Sequence, residues 1–323
     1  MCIKSIIKIG HTKLEETMKR ILTVLLCLII ITSVLSSCAN GNEVKSEYPK
    51  VVATSHVVAD WVWNIMSGAY DVFQIDLLAD EGKDMHNFQP SAADMRIIAT
   101  ADLVIYIGGE SDKWIEAAMA SVDSRAKAIR LMDVVDLHSA EHHGDHDHGA
   151  DEHIWLSFEN AIKSVEVISD AVSELDMNKA ETFKSNENEY TEKLNLLYDE
   201  YRTAVLSAEY DTLVFADRFP FIYLIEELGL EYAAAFPGCL SETTASFETV
   251  VSLARTVDEK HLPCVIVLEN SEGIAKTVIE NTASKNAQIL ALDSMQVMNG
   301  QDFDYIDTMA SNLEVLKIAL GCE

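Results

Sequence analysis

The sequence predicts an α/β protein of two lobes, each with a mainly parallel sheet flanked by helices, the two joined by a long helix. Three observations predict it. Short β-favouring apolar runs alternate with helical patterns in both halves of the chain. The run Leu103-Val104-Ile105-Tyr106-Ile107 is continuously apolar, as a parallel strand covered on both faces must be. One amphipathic stretch between the halves, 179–207, is much longer than the other helical patterns and is suited to bridge two lobes.

The elements of the first half are strand 51–54, helix 57–66, strand 71–78, helix 91–99, strand 103–107 and helix 114–122. Pro90 marks the turn into the second helix and Ser91 is its expected N-cap, while Gly108 and Gly109 close the third strand. Residues 138–153 then interrupt the alternation. They contain Glu141-His142-His143-Gly144-Asp145-His146-Asp147-His148-Gly149, which is too polar to bury a core and reads as a loop. Helix 158–175 follows. The helix over 179–207 carries Tyr190, Leu194, Leu197, Tyr198, Tyr201 and Val205 at apolar positions. The second half repeats the theme: strand 212–215, helix 221–228, strand 231–235, helix 246–258, strand 265–268, helix 274–280, strand 288–292 and a closing helix.

The amino-terminal stretch is an export signal rather than part of the fold. Lys19 and Arg20 precede an apolar run over 21–31 that is short for a spanning helix. Small residues then lead to Leu35-Ser36-Ser37-Cys38, which resembles a bacterial lipobox whose cysteine accepts diacylglycerol. Met18 is a natural opening for this signal, so 1–17 are expected to precede it. The polar stretch after Cys38, with Asn40, Gly41, Asn42, Glu43 and Lys45, reads as a flexible tether. The organisation is therefore signal 1–37, lipidated tether 38–50, N-terminal lobe 51–178 with the histidine-rich loop 138–153, connecting helix 179–208 and C-terminal lobe 209–323.

Residues 1–37 hold a net charge of +3 against −29 for the whole chain, which leaves −32 on the remainder. Such a charge excludes a nucleic-acid partner and favours cations near the surface. Removing Cys2 and Cys27 and lipidating Cys38 leaves Cys239, Cys264 and Cys322. Those three cannot all pair. A Cys239–Cys264 bridge and buried thiols are both compatible with the spacing.

Ligands of open α/β sheets sit beyond the carboxyl ends of the strands. The polar residues in such positions are His56, Asp84 with His86, His153, Asp217 with Arg218, Glu269, and Asp293 with Ser294. His86 and His153 are the strongest metal-ligating candidates, since His153 opens an apolar segment at the end of a histidine-rich loop.

The chain resembles the metal-binding solute-binding proteins that serve zinc and manganese ABC importers. The resemblance rests on Asp84-Met85-His86-Asn87-Phe88-Gln89-Pro90-Ser91, Ala101-Asp102-Leu103-Val104-Ile105-Tyr106, Glu152-His153-Ile154-Trp155-Leu156, Glu242-Thr243-Thr244-Ala245-Ser246-Phe247 and Leu292-Asp293-Ser294. It implies two α/β lobes joined by a rigid long helix, with one metal in the cleft. By resemblance His86 and His153 are ligands from the N-terminal lobe and Asp293 from the C-terminal lobe. The third ligand departs from the pattern. Zinc members commonly have histidine and manganese members glutamate shortly before an aromatic helix, but here an ungapped count back from Phe221 reaches Arg218. Arginine has no acceptor and cannot ligate. Asp217 is therefore expected as the ligand, with Pro220 reshaping the turn and Arg218 paired to a carboxylate. Glu269, Glu242 and Cys239 remain alternatives.

His56 follows a strand-to-helix turn and is expected to support the site or the helix terminus rather than to ligate. His138, His142, His143, His146 and His148 are expected to collect metal weakly beside the site. Imidazole donors and the histidine-rich loop favour zinc, with manganese the alternative. The partners implied are an ABC permease and, through Cys38, the outward face of a membrane, with the protein a monomer. The rival classes are an extracellular zinc metallohydrolase and an adhesive or structural lipoprotein. The chain has no His-Glu-x-x-His helix and no nucleophile elbow, so the prediction is a binding protein rather than an enzyme.

Overall fold

The computed structural model describes residues 48–78, 85–138, 150–236, 245–268, 272–297 and 303–322. Cys38, Asp84, His142, His143, His146, His148, Cys239, Glu242 and Glu269 lie outside the described residues.

Strands β1 (Lys50–Ala53), β2 (Gln74–Leu77), β3 (Leu103–Tyr106) and β4 (Lys127–Arg130) form a parallel sheet in the order β2-β1-β3-β4. Strands β5 (Thr212–Phe215), β6 (Glu231–Ala234), β7 (Cys264–Leu268) and β8 (Gln288–Leu292) form a second parallel sheet in the order β6-β5-β7-β8. The two orders are the same permutation. β3, β5 and β7 are buried along their whole length, which is why β3 and β7 are unbroken apolar runs and β5 is apolar after Thr212, whose hydroxyl is hydrogen-bonded. β4 escapes the sequence reading. It is an edge strand, paired only with β3, and its Lys127-Ala128-Ile129-Arg130 has two apolar residues between two cations. Half-exposed edges need no apolar run.

The first lobe carries α1 (His56–Ile65), α2 (Ala92–Ala99), α3 (Lys113–Ser121) and α4 (Phe158–Leu175). Ser91 caps α2 as expected and forms a full capping box with Asp94. Ser55 caps α1 by accepting from the Val58 N–H, so the helix starts at His56. The connecting helix α5 (Ala180–Leu206) has 27 residues, about 40 Å at 1.5 Å per residue. It buries Phe183, Tyr190, Leu194, Leu197, Tyr201 and Ala204 at helical spacing, against α1, α4 and α9 (Tyr305–Ala319). The second lobe also carries α6 (Ile222–Glu227), α7 (Phe247–Glu259) and α8 (Gly273–Glu280).

One apolar core runs through both lobes, with Trp61, Trp155, Phe158, Phe183, Phe215 and Tyr305 all in a single cluster. Polar bonds reinforce the junction. The Tyr305 hydroxyl donates to the Trp155 carbonyl at 2.6 Å, and the Trp155 indole N–H donates to the Ser294 carbonyl at 3.0 Å. Glu227 on α6 accepts the Phe158 and Glu159 N–H groups, each at 2.9 Å, and so satisfies the open amino end of α4. Cys264 and Cys322 are free thiols, and Cys264 is buried. Among the described residues no helix is long and apolar enough to cross a membrane.

Candidate metal centre

All strands of both sheets run parallel, so their carboxyl ends and the loops that follow them are gathered on one side of each sheet. His86 lies in a 3-10 turn, Met85–Asn87, between β2 and α2. His153 directly precedes another such turn, Ile154–Leu156, whose three residues are fully buried. That burial anchors the histidine. Its ring packs at 5.1 Å from the Trp155 ring and 5.5 Å from that of His86.

The Nε2 atoms of His86 and His153 stand 3.5 Å apart. The partners of each Nδ1 set the tautomers. His153 Nδ1 is 2.7 Å from Asp151 Oδ1, an acceptor, so it carries the proton. His86 Nδ1 lies 2.9 Å from Glu152 Oε1 and 2.7 Å from Ser111 Oγ. The Ser111 hydroxyl donates its only proton to Glu152 at 2.8 Å, so His86 Nδ1 is again the donor. In each neutral ring the lone pair is then on Nε2. Two ligands of a tetrahedral zinc at ~2.05 Å lie ~3.3 Å from each other, close to the separation found here.

Glu152 is the residue that sequence reasoning missed as a participant. Among the described residues His86, Glu152 and His153 are the single group of three or more acidic, histidine or cysteine side chains close enough to share an ion. Its geometry nevertheless faces the Nδ1 side of His86, away from Nε2. Burial pushes the Glu152 carboxyl up, but the His86 contact, the His153 ring and the Ser111 N–H outweigh it and hold it below the usual carboxylate range. It is ionised throughout the working range. A carboxylate directly before a candidate histidine was the available signal.

Asp293 and Asp217 lie outside that three-residue group. Asp293 directly follows β8, and Asn312 of α9 grips its main chain twice, accepting its N–H at 2.9 Å and donating to its carbonyl at 2.8 Å. Its half-buried carboxylate accepts the Met295 N–H at 2.7 Å. Burial raises its pKa, with Met295 pulling back, so a cation beside it is favoured. The Trp155 bond to Ser294 ties this loop to the one carrying His153. Asp217 is buried after β5, and both its oxygens are engaged, one by the Arg218 N–H at 2.8 Å and the other by the Leu268 N–H at 3.3 Å. It binds β5 to the end of β7.

His56 is fully buried in the first turn of α1, edge-on to Phe303 at 4.5 Å. Neither ring nitrogen has a well-formed hydrogen bond among the described residues. Burial pushes its pKa down to about 4, the Met295 main chain opposing weakly, so it is neutral at physiological pH. His138 pairs with Glu226 at 2.6 Å and stacks edge-on to Tyr223 at the entrance to the histidine-rich loop.

The family described as ZnuA, zinc-uptake complex component A, periplasmic, matches residues 51–319. The zinc-binding lipoprotein AdcA of Streptococcus pneumoniae serotype 4 is 28% identical over 299 residues, covering 88% of this chain and 58% of that one. The iron-binding protein YfeA of Yersinia pestis is 27% identical over 304 residues, covering 92% of this chain and 94% of its own. The crystal structure of Zn(II)-bound AdcA from Streptococcus pneumoniae superposes with a TM-score of 0.69 at 25% identity, covering 85% of this chain and 58% of that chain. The chain thus spans little more than half the length of its zinc-binding relatives. The match along both lobes, with the histidine pair at the strand ends, makes this chain a member of the periplasmic zinc-uptake component A family.

Proposed function

We propose that this protein captures zinc outside the cytoplasmic membrane and hands it to an ABC permease, held to the membrane as a monomer through a lipid on Cys38. The observation that carries the reading is the pair of Nε2 atoms 3.5 Å apart, each on a ring whose Nδ1 is held by a carboxylate. Two imidazoles at that spacing suit a tetrahedral ion with borderline-soft preferences better than the oxygen-rich octahedra that manganese favours.

His86 and His153 are the proposed ligands from the first lobe and Asp293 the ligand from the second, with Asp217 or water in the remaining place. Asp217 is the further candidate ligand from the second lobe; each of its oxygens accepts one backbone amide and keeps a lone pair for a metal. The protein binds and releases; it does not turn over a substrate. The names of its relatives support the class of cargo, and the iron-binding relative makes the metal the point to test.

Zinc and manganese titrations of the purified chain, with His86→Ala and His153→Ala beside it, test the proposal. The expected result is one tight zinc per chain, weaker manganese, and a loss of at least about 100-fold in each variant. Tighter manganese than zinc, or variants that bind like the parent, would overturn it. Catalytic hydrolysis by the zinc-loaded chain would point to the metallohydrolase class instead.

A further inference from the structure

Beyond the ligands themselves, the buried carboxylate beside His86 has a role of its own to be assigned. We propose that Glu152 is a positioning residue that fixes the ring of His86 as the Nδ1–H tautomer and thereby turns its Nε2 toward His153. The inference deepens the metal-capture reading and rests on it for its affinity prediction, although not for its structural one.

Glu152 accepts two hydrogen bonds from Ser111, the hydroxyl at 2.8 Å on Oε1 and the N–H at 2.9 Å on Oε2, and its Oε1 also stands 2.9 Å from His86 Nδ1, whose hydrogen bond runs to the Ser111 oxygen. Ser111 belongs to the 3-10 turn Glu110–Asp112 after β3, whereas His86 belongs to the turn after β2. One carboxylate therefore pins two separate loops and one ring. The backbone is shaped to admit it. A side chain on Gly109 would collide with both the carboxylate and the Cβ of Glu152, so a glycine at this place leaves the room that the glutamate fills.

The serine alone cannot impose the tautomer. A hydroxyl accepts or donates, and beside a neutral partner it would follow either form of the imidazole. An ionised carboxylate only accepts. It takes the serine proton, converts Ser111 into an acceptor toward His86, and sets its charge beside the same ring nitrogen. Asp151, the preceding residue, does the equivalent for His153 at 2.7 Å. Consecutive carboxylates thus orient two histidines 67 positions apart. Such carboxylate–imidazole pairs raise ligand basicity and hold ring orientation.

The test uses the purified full chain and zinc as the only added metal. Long-range proton–nitrogen spectra of the metal-free protein read the His86 tautomer, assigned by comparison with His86→Ala. The parent is expected to show a single Nδ1–H form. Glutamine offers one acceptor oxygen where glutamate uses two, so Glu152→Gln should give mixed His86 tautomers and weaken zinc by about 10- to 100-fold. His153 should keep its form. Ser111→Ala, which leaves the carboxylate, should retain the His86 tautomer. Should Glu152→Gln fail to fold, Gly109→Ala, which crowds the carboxylate from behind, should give the same mixed ring.

A single Nδ1–H form in Glu152→Gln overturns the proposal whether or not the affinity falls, because a fall by itself then reflects lost charge. Zinc affinity within about twofold of the parent overturns it as well. If the parent binds no zinc while Glu152→Gln mixes the tautomers, the capture reading fails and the positioning role stands.

Discussion

Asp60 provides a test of the packing between the lobes by pH alone. It sits on α1, 5% exposed, where its Oδ2 accepts the Tyr190 hydroxyl of α5 at 3.0 Å and the Asn64 amide at 3.2 Å. Burial drives its pKa from 3.8 up to about 7, against the Tyr190 bond, with the Asp304 charge adding to the rise and Tyr305 and Asn64 opposing it. A carboxyl whose folded value is raised binds its proton more tightly when folded. Its favourable contribution is complete below pH 3.8 and is lost as pH climbs through about 7. The difference between those two values corresponds to on the order of 4 kcal/mol. Asp60→Asn keeps the shape and an oxygen to accept from Tyr190, and removes the titration. In urea unfolding from pH 4 to 8, every other group contributes equally to both proteins. The variant's stability relative to the parent should therefore rise with pH, most steeply between about pH 5 and 7, and reach a plateau near pH 8. Parallel stability curves over that range would refute the reasoning and mean that water reaches Asp60 in the native protein.

Three further outcomes are expected. Zinc affinity should fall as pH drops below about 6.5, because neutral imidazoles are needed for binding, and a flat profile from pH 7.5 to 5.5 would count against two histidine ligands. Tyr305→Phe removes the buried hydroxyl that donates to the Trp155 carbonyl. It should cost about 1–3 kcal/mol in unfolding measurements while leaving zinc stoichiometry intact. Deleting 141–149 should lower the number of weakly held zinc ions and spare the tight one; loss of the tight site in a titration would reverse that division of labour.

The sequence by itself determined the class and the order of every strand but β4. Buried parallel strands are apolar along most of their length, so 103–107, 212–215 and 265–268 were legible without partners, and the 3.6-residue stripe marked the connecting helix from 179 onward. His86 was legible because strand ends are where such sheets bind ligands, and His153 because it opens an apolar segment at the end of the histidine-rich loop. β4 was not, since an edge strand with Lys127 and Arg130 at its ends needs no apolar pattern. The tertiary structure alone decided how the site is arranged. Glu152 and Ser111 meet His86 across 66 and 25 positions of chain, and Asn312 reaches Asp293 across 19, so no local pattern announces those pairings, even though Glu152 stands directly before His153. Asp217 shows the same limit: its place after β5 suggested a ligand, and only the fold reveals that the Leu268 amide from a neighbouring strand also bonds one of its oxygens. Hydrogen-bond partners distant in sequence are chosen by folding, and it is they that decide which way an imidazole faces and whether a carboxylate is available to a metal.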